Sequence, residues 1–340
     1  MRLFSLKDIA KKTGVSITAV SNVLNRRPIR IGDEKRRLIV KTARDFNYRP
    51  NLIARSLKRK KAGAIGVVVP DMTTLHYPEL IRLLEVKLFA HGYQTLICNS
   101  QDNALCEKEH LETLRSRFID GLVIAPAENG INAPLLRRIS ESGTLVLCVD
   151  IYLPREKFHY VTTDGRTSAR QGAAWLAGKG VSRVFYLGER QRHQALDDRL
   201  AGVKDAVSMS QKDIILCAPE RGEIHERCRT ALRDPLSGAG FFLESNRLLP
   251  GLLDAARELR IAIPVNLPII GFDSPVLVIN GAEDFASWRI LTAPVPVIRQ
   301  NVAAMAEETA KYLTVKLAKP TARFASVRLP AEIIFQESKT

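Results

Sequence analysis

The chain has 340 residues, 46% of them hydrophobic and 26% charged, and a formal net charge of +15 at pH 7. That length and apolar content exclude a disordered chain and provide for one or two well-buried cores, while no stretch approaches the roughly 18 consecutive apolar residues of a membrane span. The five cysteines, Cys98, Cys106, Cys148, Cys217 and Cys228, show no CxxC spacing, which argues against both a zinc site and a disulfide framework.

The opening MRLFSLKDIAKK mixes charged and apolar residues at helical spacing and lacks the unbroken apolar run and cleavage site of a signal peptide. It reads as the start of a cytoplasmic protein with reduced thiols and no membrane partner. Charge is distributed unevenly: residues 1–61 carry 18 Lys and Arg against four acids, net +14, and the remainder carries 33 against 32, net +1. A compact basic head on a neutral body is the footprint of a module that binds a polyanion. The alternative, a solvated basic tail, conflicts with the folded-domain patterning of the same residues.

Ser5 and Asp8 give the spacing of a capped helix start, with Leu6, Ile9 and Ala10 on one face and Gly14 as the stop. After the turn Gly14-Val15-Ser16, a second helix is predicted over 17–24, with Ser16 as N-cap and Val20, Val23 and Leu24 buried. A third, about 33–46, shows Leu38, Ile39, Ala43 and Phe46 on its apolar side. Two short helices joined so tightly form a helix-turn-helix, whose second helix suits a DNA major groove; a generic three-helix bundle is the competing reading. Residues 51–58 carry a helix start at Asn51 but are too short to be stable alone in water.

From Ala64 onward, apolar runs at 65–69, 95–98, 121–124, 145–149, 184–187, 214–217, 241–243 and 269–271 alternate with amphipathic helices. Alternation of that kind predicts parallel sheets with right-handed crossovers, and too many strands for one comfortable sheet. Asp71, Asp150, Asp164 and Asp273 all follow apolar strand runs, an expensive place for a carboxylate unless something pairs with it. Asp164 also opens a helix and serves equally well as an N-cap.

The run SLKDIAKKTGVSITAVSNVLN, followed by YRPNLIARSLKRKKAGAIGVVVPD, resembles the lactose-repressor (LacI/GalR) family of bacterial transcription regulators. It joins a helix-turn-helix, an N-x-x-A-R-S-L hinge segment and the first strand of a sensor at the family's spacing, and continues more loosely over nearly the whole chain. The resemblance implies a helix-turn-helix domain at 1–50, a hinge at 51–61, and a two-lobed, periplasmic-binding-protein-like α/β sensor at 62–340. It implies one lobe of about 62–162 and 292–320, and another of about 163–290 and 322–338.

DNA contacts are then expected from Ser5, Ser16, Ile17, Thr18, Ser21, Asn22, Asn25, Arg30, Tyr48, Asn51, Ala54, Arg55, Leu57 and Lys58. Ile17, Thr18 and Asn22 match the groove-facing positions; Asn can bond adenine in a bidentate way, and Ser16 and Ser21 suit phosphates. Leu57 matches the residue that wedges between base steps in the minor groove, although it could instead cap the sensor core. Ala19 stands where the family usually has Thr, and Asn22 where Arg is frequent, so an operator of its own is expected.

For the effector, the resemblance implicates Asp71, His76, Tyr77, Asp150, Arg199, Ser245, Asn246 and Asp273, with His76 and Tyr77 filling an aromatic pair able to stack on a sugar ring. Glu244-Ser245-Asn246 departs from the family's common A-N-D, and around Pro294-Val295-Pro296-Val297 the usual polar cleft residue has no evident match. The expected function is regulation, as a repressor, of carbohydrate-related genes. Its partners would be an inverted-repeat operator in double-stranded DNA, a small sugar-like effector and a second copy of the chain. No cofactor or metal is expected. The alternatives are a sugar-binding protein or an α/β enzyme with an accessory DNA-binding head; against the enzyme, there is no GxxxxGKS/T loop, no GxGxxG after a strand, no GxSxG elbow and no HExxH.

Overall fold

The computed structural model describes residues 4–335, apart from 26, 49–61, 73–75, 189–192, 210–212, 218–223, 234–237, 246–247, 262–266, 274–276, 280–281 and 285–294. It divides into two compact units, Met1–Ala62 and Gly63–Thr340.

In the first unit the helices are α1 (Leu6–Thr13), α2 (Ile17–Leu24) and α3 (Asp33–Asp45). The expected capping box closes α1: Ser5 Oγ accepts from the Asp8 amide at 3.4 Å, while the Ser5 amide donates to Asp8 Oδ2 at 2.8 Å. Gly14 ends α1 at φ +65°, a left-handed conformation that costs glycine no Cβ clash, and this makes the tight turn possible. The core consists of Ile9, Ala10, Val20, Val23, Ile39 and Ala43, with Phe46 and Tyr48 packed against it. Leu38 departs from expectation and is 44% exposed. The inward stripe of α3 runs through Ile39, Thr42 and Ala43, and Leu38 lies about 100° off it on the far side.

The second unit contains two six-stranded sheets. Its strands are β1 (Ala64–Val69), β2 (Gln94–Asn99), β3 (Gly121–Ile124), β4 (Leu145–Val149), β5 (His159–Thr163), β6 (Arg183–Leu187), β7 (Asp213–Cys217), β8 (Ala239–Leu243), β9 (Ile269–Phe272), β10 (Leu277–Ile279), β11 (Ala282–Asp284), β12 (Val297–Arg299), β13 (Val327–Leu329) and β14 (Glu332–Ile334). Its helices are α4 (His76–Ala90), α5 (Ala104–Ser116), α6 (Ala133–Glu141), α7 (Gly165–Ala177), α8 (Gln194–Met209), α9 (Ile224–Arg233), α10 (Leu249–Glu258) and α11 (Val302–Ala318). The sheet orders, β13-β5-β4-β3-β1-β2 and β14-β12-β9-β8-β6-β7, follow the same pattern, so β4 and β9 occupy equivalent places.

Every strand expected from the apolar runs is present. The central strands are buried on both faces, which explains runs without strict alternation, whereas the edge strand β2 is partly exposed. In the first lobe Val67 and Val69 pack towards α4 and α11, whereas Val68 packs towards α5 and α6. In the second, Phe185 and Phe241 face α9 and α10, and Val184, Phe242 and Phe272 face α7 and α8.

The chain crosses between lobes near 163, 300 and 330. This corrects the expected lobe limits in two places: β12 pairs with β9 in the second lobe rather than belonging to the first, and β13 pairs with β5 in the first rather than belonging to the second. Strands of three residues carry too little periodicity to be assigned to a sheet from sequence; the pairing decides it. The crossings are bonded together, because the Asp164 amide donates to the Leu329 carbonyl at 2.7 Å and Thr163 Oγ1 donates to Gln300 Oε1 at 2.5 Å.

Candidate functional site

The side chains singled out in the sensor converge at the carboxyl ends of the strands, where ligands of open α/β sheets bind. Asp150 follows β4 and Asp273 follows β9, the equivalent strands of the two lobes, and both have positive φ, +62° and +73°. Left-handed backbone at two non-glycine residues is strain of the sort that collects at binding sites; Asp tolerates it better than most residues. Both residues are buried, with 5% and 4% of their surface exposed.

From the first lobe, Tyr77 on the first turn of α4 donates its hydroxyl to Asp150 Oδ2 at 2.7 Å, and His76 Nε2 lies 3.2 Å from the same oxygen. The expected aromatic pair is therefore held by its polar ends on Asp150, with ring centroids 4.1 Å apart. Nδ1 of His76, also buried, has no hydrogen-bond partner among the described residues. From the second lobe, Arg199 on α8 donates through Nη1 to the Glu244 carbonyl at 2.8 Å and pairs with Asp273 Oδ2 at 3.4 Å. Its guanidinium lies 4.0 Å from the centroid of the Phe272 ring. Helix α8 is pinned against α7: a Cβ at Gly202 would come within 2.1 Å of the Arg166 carbonyl oxygen, so only glycine permits this approach.

Burial works against charge on all of these groups, and the partners outweigh it. Desolvation would raise the Asp150 pKa, but the charge and hydrogen bond of His76, with Arg199 and Tyr77, hold it below the usual carboxylate range. Burial would lower the His76 pKa, yet the charge and hydrogen bond of Asp150, aided by Asp273, lift it above the ordinary 6.5. Arg199 stays charged against burial through Asp273, Asp150 and Glu244. These influences run across the two lobes, so the sites on either side form one electrostatic cluster.

The raised His76 pKa ties stability to pH. A proton bound more tightly in the folded state stabilises fully below the unfolded value near 6.5, and that contribution is lost as pH rises through the folded value. The urea midpoint is expected to fall across that interval, and His76→Gln is expected to flatten the dependence. A variant with the same slope as the parent would show that another group titrates there.

Sequence reasoning missed three residues. Gln300, just past β12, donates through Nε2 to Asp273 Oδ1 at 2.5 Å, and its Oε1 accepts from Thr163, so it links the lobe crossing to the cluster. Glu244, fully buried, accepts the hydroxyl proton of Tyr186 as well as offering its carbonyl to Arg199. The position following β8 was the one signal for Glu244, and nothing marked Tyr186 or Gln300. Of the remaining candidates, Ser245 is buried beside Glu244, Asp71 is half-buried after Pro70, and Asn246 lies outside the described residues. Asp164 is an N-cap, its side chain accepting from the Thr167 amide at 3.1 Å.

In the head, Ile17, Thr18, Ser21, Asn22 and Asn25 share the face of α2 opposite Val20 and Val23, and Ile17 is 47% exposed. Two of the serines expected at DNA have local duties: Ser5 caps α1, and Ser16 accepts from the Ala19 amide at 3.1 Å to cap α2. Asn25 Nδ2 donates to the Ser21 carbonyl at 2.7 Å and closes the end of α2. Arg30 is exposed and Tyr48 half-buried against the head core. Asn51, Ala54, Arg55, Leu57 and Lys58 lie outside the described residues.

Residues 5–51 match the bacterial regulatory proteins of the lacI family, residues 62–223 the periplasmic binding proteins and sugar binding domain of the LacI family, and residues 173–339 a periplasmic binding protein-like domain. The sucrose operon repressor of Streptococcus mutans is 30% identical over 277 residues, 81% of this chain and 84% of that protein. The ribose operon repressor of Halalkalibacterium halodurans is 26% identical over 271 residues, 79% and 80% of the two chains. Among solved structures, the lac repressor dimer bound to operator and the anti-inducer ONPF superposes with a TM-score of 0.78 at 17% identity, covering 98% of each chain, a likeness of fold. With a helix-turn-helix head, a two-lobed sensor whose charged cluster spans both lobes, and these matches along its length, the chain belongs to the lacI family of bacterial regulatory proteins.

Proposed function

We propose that the protein represses carbohydrate-related genes in the bacterial cytoplasm, binding an inverted-repeat operator as a homodimer and changing its operator affinity when a small sugar enters the sensor cleft. The observation that carries the effector reading is the cluster itself: Asp150 with His76 and Tyr77 from one lobe, and Arg199 with Asp273 and Gln300 from the other, buried at equivalent strand ends. A sugar offers neighbouring hydroxyls that both donate and accept; acceptor-only carboxylates opposite a donor-only guanidinium satisfy both halves, and Nδ1 of His76 adds a further polar atom. A ligand that bridges the lobes favours one lobe angle, so ligand and operator change each other's affinity reciprocally. We read the cleft as a binding site rather than a catalytic one, because the chain belongs to a family of regulatory proteins and the carboxylates of the cleft are held by partners that fix their orientation.

A footprint of the purified protein on its own upstream DNA, with ribose, sucrose, cellobiose, fructose 1-phosphate and a purine as additives, tests this. A protected inverted repeat that one of the sugars alters is the expected result; no protection, or a response to the purine alone, would overturn it. Within that operator, the outer face of α2 reads bases. Asn22→Ala is expected to relax preference at one or two positions of each half-site, at about 1–3 kcal/mol for the lost bidentate contact, with the salt dependence of binding unchanged. Unchanged base preference with a shallower salt slope would place Asn22 on a phosphate instead.

A further inference from the structure

Beside the effector cluster lies a second set of contacts between the lobes. Tyr152, two residues after Asp150, donates its hydroxyl to Asp198 Oδ2 at 2.9 Å, and Asp198 immediately precedes Arg199 on α8. Arg328, on β13 of the first lobe, closes the triangle: Nη1 donates to the same Asp198 oxygen at 3.1 Å and Nη2 donates to the Tyr152 hydroxyl at 2.6 Å. The guanidinium also lies over the rings of Tyr152 and Tyr160, 4.8 Å and 5.6 Å from their centroids, and those two rings stack at 4.5 Å. The second Asp198 oxygen accepts from Gln194 Nε2 at 2.9 Å. Neither the family pattern nor the effector chemistry called for these residues.

We propose that Tyr152, Asp198 and Arg328 form a latch between the lobes that fixes the lobe angle before any ligand arrives and so positions Arg199 opposite Asp150. Taken alone, the Arg328–Asp198 ion pair would contribute little, since its side chains are 38% and 15% exposed. The triangle differs from such a pair in geometry. A planar guanidinium uses two N–H groups and one face at once: Arg328 and Tyr152 fix each other within the first lobe and both hold the same Asp198 oxygen, so the lobes cannot rotate without breaking the two contacts to Asp198 together. Neighbouring backbone carries the constraint to the site: Tyr152 is two residues from Asp150, Asp198 is one from Arg199, and Gly202 locks the same helix against α7. The latch therefore holds the two halves of the cleft in register, and the effector adds its bridging contacts to an angle already favoured. Asp198 and Arg328 are positioning residues here. Their role for the effector rests on the reading of Arg199 given above, but the latch itself does not.

The test measures lobe separation in the full chain without ligand. Nitroxides carried on p-acetylphenylalanine at Lys108 on α5 and Glu258 on α10, both exposed, leave the native cysteines untouched. Mixed with an excess of unlabelled chain, so that a dimer carries one labelled protomer, the parent protein is expected to give one narrow distance distribution by double electron-electron resonance. Arg328→Met and Asp198→Asn are each expected to broaden it and shift it by several Å, and Tyr152→Phe, which removes one hydroxyl, to do so to a smaller extent. Variants that melt cooperatively yet keep the parental distribution would overturn the latch. Titration with ribose and with sucrose then separates the two claims, since a loosened site binds in proportion to the fraction that is still closed. Weaker sugar binding by about 3- to 10-fold in the broadened variants supports both; broadening with no sugar bound by any form keeps the latch and removes the effector reading; broadening with parental sugar affinity removes the positioning role.

Discussion

Arg199→Ala is expected to be the most damaging single change in the sensor. Arg199 is buried and its guanidinium serves three surroundings at once, the Asp273 carboxylate, the Glu244 carbonyl and the face of Phe272. Removing it leaves Asp273 in a buried site with Gln300 as its remaining described side-chain donor, and strips Asp150 of one of the charges that hold it ionised. Breaking a buried ion pair from one side costs about 3–5 kcal/mol, because the partner charge stays behind without compensation. Against a total stability of about 5–15 kcal/mol for a domain, that is a large fraction. Urea unfolding should show the loss as a lower midpoint, and the sugar response of the footprint should disappear with it. Arg199→Lys is expected to recover part of the stability, since an ammonium can pair with Asp273 but has no planar face for Phe272 and no fork to reach the Glu244 carbonyl as well. A stability within about 1 kcal/mol of the parent for Arg199→Ala would show that the cluster is solvated enough to do without its cation.

The second large effect is expected from separating the head. One helix-turn-helix reads one half-site, and in the full chain the second head would bind its half-site as an intramolecular event at high effective concentration. A fragment ending at residue 61 keeps the charge of the head, its capped helices and its core of Ile9, Val20 and Ile39. It is nevertheless expected to bind the operator about 10²- to 10⁴-fold more weakly than the whole protein at the same salt concentration. Non-specific affinity should fall far less, since it follows the Lys and Arg count of each head. Equal affinity of fragment and full chain for the inverted repeat would remove the argument for a dimer. Titration at two salt concentrations distinguishes that result from simple electrostatic sticking.

What the sequence determined by itself is what short-range physics can encode. The capping box at Ser5, the glycine stop at Gly14 and the apolar stripe through Val20 and Val23 require only neighbours within a few residues, and the structure has all of them where the spacing puts them. The charge asymmetry between head and body is a sum over the chain and needs no fold at all. The strands with unbroken apolar runs were legible because a strand buried on both faces must be such a run; β5, HYVTT, carries none and was not expected. Asp150 and Asp273 stood out for the same reason, as carboxylates directly after such runs, with no apolar environment able to hold them unpaired.

The tertiary structure decided whatever depends on which strand lies beside which. β12 and β13 are too short to declare a sheet, and the pairing with β9 and β5 settled their lobes in the reverse of what their place in the chain had implied. Leu38 has the composition of a core residue and an exposed place, because the direction of the head's core around α3 is set by where α1 and α2 pack. Gln300, Tyr186 and the Tyr152–Asp198–Arg328 triangle were invisible for one physical reason. A polar residue gains its role from a partner that may lie a hundred positions away, and only the folded backbone brings Arg328 to Asp198 or Gln300 to Asp273.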